Sequence, residues 1–432
     1  MYSQSTVGEN LNVEQSPSAG TGLRASERHA GQISIFFLIT SLEVGGAQMM
    51  LYKLLSGMDP TRFRVQVVSL IDLDLGGLRE KFETIPVQLR SLGMRPGIPN
   101  PACVLRLARW LRADRPAVLS TWMYHADLIG GLAAKLAGGI PVVWGIRQGD
   151  LSREGNRWLT LQTVKACALM SRWLPARIIC NAEASRKVHA AAGYEAEKMI
   201  VIPNGSDLTM FKPDEAARRL VRKELEIPEE SPIIGLVGRF HPYKDHHNFI
   251  RAAALLYRDW PDVHFLLCGD EITSENPHLA AWIRDAGISG RCRLVGRRHD
   301  IPRLTAALDI AVSSSFGESF SSVVVEAMSC GIPCVVTDVG DSAFIVGQTG
   351  LVVPPQNARE LANALRQLIE LGHNARISMG MAARCRIQKH FDLPNIVSRY
   401  QDLYEELAVV SRCENRSLQP IAAPCKSVKR NV

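Results

Sequence analysis

Short apolar runs rich in β-branched residues recur along the chain. Turn residues bound them, and stretches of helical periodicity separate them. In the first half they fall at 33–40 ("ISIFFLIT"), 64–70, 117–121, 141–146, 177–181 and 199–203. In the second half they fall at 233–238, 263–269, 292–296, 309–315, 333–338 and 350–355. Runs this short, without polar alternation, belong to strands covered on both faces. When they alternate with helices they build parallel sheets. The pattern therefore predicts an α/β protein of two Rossmann-like, doubly wound domains. "PNGSD" at 203–207 is dense in turn residues and lies between the two sets, which marks a hinge. The expected layout is a disordered leader (1–31), a first domain (32–205), a second domain (206–390), a helical segment (391–410) and a disordered basic tail (411–432).

At 432 residues and 46% hydrophobic content the chain can bury more than one core. Its longest apolar stretches are eight residues at 33–40 and the segment 128–146, which Gly, Lys and Pro interrupt. Neither matches the roughly 20 apolar residues of a membrane-spanning helix. The leader is polar, with Arg24 and Arg28 as its only basic residues, and does not read as a signal peptide; a cytoplasmic protein is expected. The ten cysteines are scattered, and they read as buried reduced thiols rather than disulfides or zinc ligands. Charge is uneven. Residues 32–205 carry a balance of +8 and residues 206–410 one of −4. The first half thus expects an anionic partner, either a membrane surface or a phosphorylated substrate, and no nucleic acid.

Candidate chemistry concentrates in "SSFGESFSSVVVEAMSCGIPCVVTD" (314–338). Glu318 falls in the turn after a predicted strand, and Glu326 between one and two turns inside the following helix. Between them lie the unpaired N–H groups of Ser319, Phe320 and Ser321, where a helix begins and a phosphate can bind. A nucleotide sugar has the matching layout of sugar hydroxyls, diphosphate and ribose. Taken alone, the pair also fits a solvated loop acid and an ordinary helix residue.

The segment resembles the retaining glycosyltransferases of family 4, whose two Rossmann-like domains face a central cleft in the GT-B fold. The likeness extends through "SLEVGGAQ" (41–48), "TWMYHADLIG" (121–130), "VIPNGSDLTMF" (201–211), "GRFHPYKDHHNFIRA" (238–252) and "TGLVVPPQNARELANAL" (349–365), covering roughly 33–410. Ser319 stands where the family usually has Gly, and Gln48 where a Glu often follows Gly-Gly-Ala. The resemblance implies that Glu318 binds hydroxyls of the transferred sugar and Glu326 the ribose. It implies that Arg239 and Lys244 hold the diphosphate and that His125 contacts the sugar near the reacting carbon. Gly45 and Gly46 would let backbone approach the donor, or form a plain turn. The implied reaction is metal-independent transfer from a nucleotide sugar, with UDP favoured, to a glycan or lipid-linked glycan in polysaccharide synthesis. A sugar-nucleotide epimerase of the same architecture, or a nucleotide-sugar-binding protein without turnover, are the alternatives.

"DLD" (72–74) has the D-x-D form of metal-dependent transferases but reads as loop chemistry. His241, His246 and His247 read as a polar helix start rather than a zinc set, and no metal or other cofactor is expected. The segments 105–115 and 153–177 interleave Arg106, Arg109, Arg112, Arg157, Lys165 and Arg172 with Trp110, Trp158 and Trp173. Such helices suit a peripheral membrane surface, or else the tryptophans are core and the arginines solvated.

Overall fold

A computed structural model describes residues 31–72, 77–95, 100–153 and 155–417, the last seven by backbone alone. The expected leader through residue 30 and the tail from 418 lie outside the described residues.

Two parallel sheets carry the fold. The first holds β1 (Ile33–Ile39), β2 (Phe63–Ile71), β3 (Val87–Met94), β4 (Val118–Trp122), β5 (Val142–Ile146), β6 (Arg177–Cys180) and β7 (Met199–Val201), in the order 3-2-1-4-5-6-7. The second holds β8 (Ile233–Val237), β9 (His264–Cys268), β10 (Cys292–Leu294), β11 (Ile310–Ser313), β12 (Cys334–Thr337) and β13 (Leu351–Val353), in the order 10-9-8-11-12-13. Central strands are buried on both faces: β4, β5, β9, β11 and β12 have no half-exposed position. Helices cover each sheet on two sides, and each domain has two apolar clusters, one per face. In both sheets the order reverses at one point, between β1 and β4 in the first and between β8 and β11 in the second. At such a point the connecting loops diverge and leave a crevice at the strands' carboxyl ends.

The chain crosses between domains twice, and the crossings pair. Ser206 N–H donates to the Phe391 carbonyl at 2.8 Å, and Leu393 N–H to the Ser206 carbonyl at 3.0 Å. The helix Leu393–Ser417 then lies on the first sheet. Its Ile396, Val397, Tyr400, Leu403, Tyr404 and Leu407, spaced three and four apart, join the core around Phe37 and Trp122. Each such burial contributes about 1.5–3 kcal/mol. Tyr404 meets Ser120 Oγ at 2.9 Å, which satisfies a buried hydroxyl. The helix continues past residue 410, so 411–417 belong to it and not to the tail.

Three further expectations are corrected. Cys385 is exposed, whereas the other described cysteines are buried or half-buried; all eight are free thiols. His246 is not part of a polar helix start. Together with Asn248 it turns inward at the head of the helix His246–Tyr257, 2% and 4% exposed. Trp110 in the segment 105–115 is half-buried, with the Arg90 guanidinium 3.9 Å above its ring, and Arg106 donates to the Leu92 carbonyl. In that segment Trp110 serves internal packing, while Arg106, Arg109 and Arg112 stay at the surface.

Candidate active site between the two sheets

Every candidate residue sits on one of the four loops or helix starts at the two switch points. The loop after β1 carries Gly45 and Gly46 at the start of the helix Gly46–Gly57. After β4, His125 is the second residue of the helix Tyr124–Leu136. After β8 comes exposed Arg239, then the 3-10 turn Pro242–Lys244. After β11 runs 314–321, followed by the helix Ser322–Ser329 with Glu326 inside it.

The two second-domain loops are stitched together. Ser314 Oγ donates to the Lys244 carbonyl at 2.8 Å, and Phe316 N–H to the Tyr243 carbonyl at 2.9 Å. This brings Lys244 Nζ to 2.5 Å from Glu318 Oε2, with both side chains largely buried. The Lys244 stem crosses Gly238, which sets it beside Arg239: a Cβ at Gly238 would lie 3.6 Å from Lys244 Cδ. Ser321 is the N-cap of the Glu326 helix yet makes no capping bond, and its buried Oγ finds no hydrogen-bond partner among the described residues. A buried hydroxyl and a set of helix-start amides next to a lysine form a cradle for an anion. Phe320 does something else. Its ring is 5% exposed and packs 5.7 Å from the Phe391 ring, so its part in the cradle is confined to backbone. Gly340 holds the cradle's far side at φ +56°, where a Cβ would lie 2.4 Å from the Glu318 carbonyl oxygen.

First-domain groups close over this segment. Ser319, the departure from the family's Gly, puts its Oγ 2.8 Å from Asn181 Oδ1 and 2.5 Å from Ser185 Oγ. Lys53 Nζ lies 2.9 Å from Glu326 Oε1. Tyr243 OH donates to Asp150 Oδ2 at 2.6 Å. Asp341 accepts from the N–H groups of Glu183 and Ala184, at 2.7 and 2.9 Å, and so caps the helix Glu183–Ala191, whose own N-cap residue, Ala182, cannot. Sequence reasoning missed Lys53, Asn181, Ser185 and Asp341. Gln48 is 8% exposed and folds back over Gly45, where a Cβ would meet its Oε1 at 2.6 Å. A Cβ at Gly46 meets nothing within 4 Å.

The His125 loop is held by a buried acid. Asp127 is fully buried; its Oδ1 accepts from Thr121 Oγ1 at 2.6 Å and from Gly145 N–H at 3.3 Å, while Oδ2 has no partner among the described residues. Burial pushes its carboxyl up to about 8, against the opposing effect of those two bonds. Met123, just ahead of the helix, has φ +75°, an uncommon conformation for a side-chain-bearing residue that the flanking bonds must hold. His125 itself is half-buried, and desolvation lowers its imidazole below the usual range, favouring the neutral ring.

The histidines of "HPYKDHH" occupy three separate environments. His241 Nδ1 accepts from Tyr243 N–H, His246 is buried, and the His247 ring lies 4.8 Å from that of Trp282. Among the described residues no three His, Cys, Asp or Glu side chains gather as a metal set. Asp72 follows β2, and Asp74 lies outside the described residues. Glu326 also lines a small cavity with Gly235, Val237, Ile301 and Thr305. The loop 296–302, through Ile301, thus borders Glu326. In that loop Arg298 pairs with Asp300 and Glu224, while Arg297 and His299 are exposed.

Two families of domains match in tandem: Glycosyltransferase Family 4 over residues 44–210 and Glycosyl transferases group 1 over residues 231–371. The chain belongs to glycosyltransferase family 4. Its two sheets are those of the GT-B fold. HepE of Anabaena, solved in complex with UDP, is similar to this glycosyltransferase at 26% identity and TM-score 0.75, covering 87% of this chain and all of that one. It has also been solved with UDP-glucose. An Escherichia coli UDP-Gal:alpha-D-GlcNAc-diphosphoundecaprenol alpha-1,3-galactosyltransferase is 26% identical over 340 residues, 75% of this chain and 84% of that one. The D-inositol 3-phosphate glycosyltransferase of Corynebacterium urealyticum is 32% identical over 227 residues, about half of each chain.

Proposed function

We propose that this glycosyltransferase moves a hexose from a UDP-sugar to a lipid-linked glycan in polysaccharide synthesis, retaining anomeric configuration and using no metal. The observation that carries the reading is the Lys244–Glu318 pair beside the uncapped start of the Glu326 helix. A diphosphate seated there takes Lys244, Arg239, the helix-start amides and Ser321 Oγ, and Glu318 is released toward the sugar hydroxyls. The glycosidic bond to the diphosphate breaks, a bond from the sugar carbon to the acceptor oxygen forms, and the acceptor proton passes to the departing phosphate oxygen on the same face. Charge grows on that phosphate in the transition state, so fixed cations and amide dipoles aimed at it lower the barrier. The complexes of HepE with UDP and UDP-glucose support the choice of base.

The acceptor side rests on the first domain. The helix Trp158–Met170 and the turn after it expose Trp158, Leu159, Leu169 and Trp173, with Arg153, Arg157, Lys165 and Arg172 exposed around them. A cavity of about 540 Å³ opens beside this patch, lined by Leu151, Arg153, Trp158, Leu161, Val164 and Lys165 among others. It adjoins the cleft through Asn156, which bonds Gln148 and the Asp150 carbonyl. Apolar walls with cations at the rim suit a prenyl diphosphate or a headgroup layer. No helix among the described residues is long and apolar enough to cross a membrane. In this reading the exposed patch meets the acceptor at the cytoplasmic face by reversible surface contact.

The test is a thermal-shift screen of nucleotide sugars. The best UDP-sugar is then incubated with a prenyl-diphosphate-linked acceptor, and the anomeric signal of the product is read by NMR. A ligand at about 100 times its Kd raises stability by roughly 2.7 kcal/mol. Transfer with inversion, preference for a purine nucleotide, or conversion of the donor to its epimer without acceptor would each overturn a named part of the reading.

A further inference from the structure

We propose that Lys53, on the first domain's helix Gly46–Gly57, is a positioning residue for the donor: it completes the ribose site by fixing Glu326, and so makes tight nucleotide binding depend on domain closure. The inference rests on the reading of Glu326 as the ribose ligand.

The pair joins residues 273 positions apart across the domain boundary, with side chains 17% and 16% exposed. At that burial an unpartnered carboxylate is costly, so Glu326 needs a cation before it can serve as an acceptor. Lys53 is the cation it has. A carboxylate offers about four lone-pair sites, and one ammonium on Oε1 leaves Oε2 for ribose hydroxyls. Lys53 is itself held, its Nζ lying 5.6 Å from the centre of the buried Phe211 ring. Lys53 stands seven residues, about 10 Å, beyond Gly46 on the same helix, so one first-domain helix carries both the Gly45–Gly46 turn and the partner of Glu326. When the domains part, Glu326 loses its partner and its fixed rotamer, and the ribose site is then incomplete.

The test is a double-mutant cycle on the full chain with UDP as ligand, comparing wild type, Lys53→Met, Glu326→Gln and the double variant, with Lys53→Arg as the conservative control. Calorimetry gives Kd, and steady-state rates give KM for the donor and kcat. The expected result is about a tenfold weaker Kd for UDP in Lys53→Met and no further loss when that change is added to Glu326→Gln. Donor KM should rise with Kd while kcat changes by less than about threefold, and Lys53→Arg should restore most of the affinity. If Lys53→Met binds UDP as wild type does, or if the two losses multiply, the inference is overturned while Glu326 keeps its role. If Glu326→Gln binds UDP as wild type does, the ribose reading falls and takes this inference with it.

Discussion

Asp127→Asn tests whether the His125 loop is held by a neutral acid. The carboxyl is raised by burial to about 8 from a reference of 3.8, so between those values the folded chain keeps a proton that the unfolded chain releases. The stabilisation from this group is complete below about pH 4 and is lost as pH rises through about 8. Each pH unit inside the window costs on the order of 1 kcal/mol, or roughly 3 kcal/mol from pH 5 to 7. Asparagine cannot titrate. Its Oδ1 can accept from Thr121 and Gly145 as Asp127 does, and its amide occupies the site of the unpartnered Oδ2, which adds only a constant offset. The buried neutral histidines, His189 and His246, titrate in the opposite sense but are common to both proteins and cancel in the difference. The variant should therefore gain on wild type by roughly 5–10 °C in Tm between pH 5 and pH 7, taking 2–4 °C per kcal/mol for a domain of this size. Differential scanning fluorimetry across that range suffices. A difference between the two proteins that stays flat with pH would mean that Asp127 is ionised in the folded state, and the account of the loop would be wrong.

Glu318→Ala should lower kcat at least tenfold with a smaller change in donor KM, and Glu326→Ala should do the reverse, as loss of a charge-assisted bond of about 1.5–3 kcal/mol implies. Steady-state kinetics separate the two, and wild-type values in both would remove the donor assignment. Activity should survive EDTA; complete loss restored by manganese would redirect attention to Asp72 and its neighbours. Replacing Trp158 and Trp173 together by Ser should abolish sedimentation with anionic liposomes, whereas Trp110→Phe should leave it unchanged. Wild-type binding that is indifferent to lipid charge and salt would count against the surface reading.

The strands were legible because most are buried on both faces and read as unbroken apolar runs. The exception is β3, an edge strand in the sequence "VQLRSLGM". Exposure lets polar residues alternate there, so no run forms. The placement of the second-domain candidates was legible because a short motif fixes Glu318 and Glu326 on one loop and helix, and the strand "IIGLV" is followed by Arg239 and Lys244. Lys53, Asn181, Ser185 and Asp341 were not. Their partners lie 134 to 273 positions away, and nothing local in a lysine on an amphipathic helix tells which domain will face it. Trp110 and Trp158 look alike in sequence, each among arginines. Only the fold places Arg90 over the first and leaves the second exposed.

The cap that Asp341 lends to the helix Glu183–Ala191 has a consequence for measuring motion. That helix cannot keep its first two amides protected once the domains separate, because Ala182 has no side-chain oxygen to cap them. Glu183 and Ala184 N–H should then exchange with deuterium in proportion to the population of the open cleft, while the amides of β6, behind them in the same domain, stay protected. Two backbone protons therefore report on cleft opening, slowed by donor and readable without a substitution.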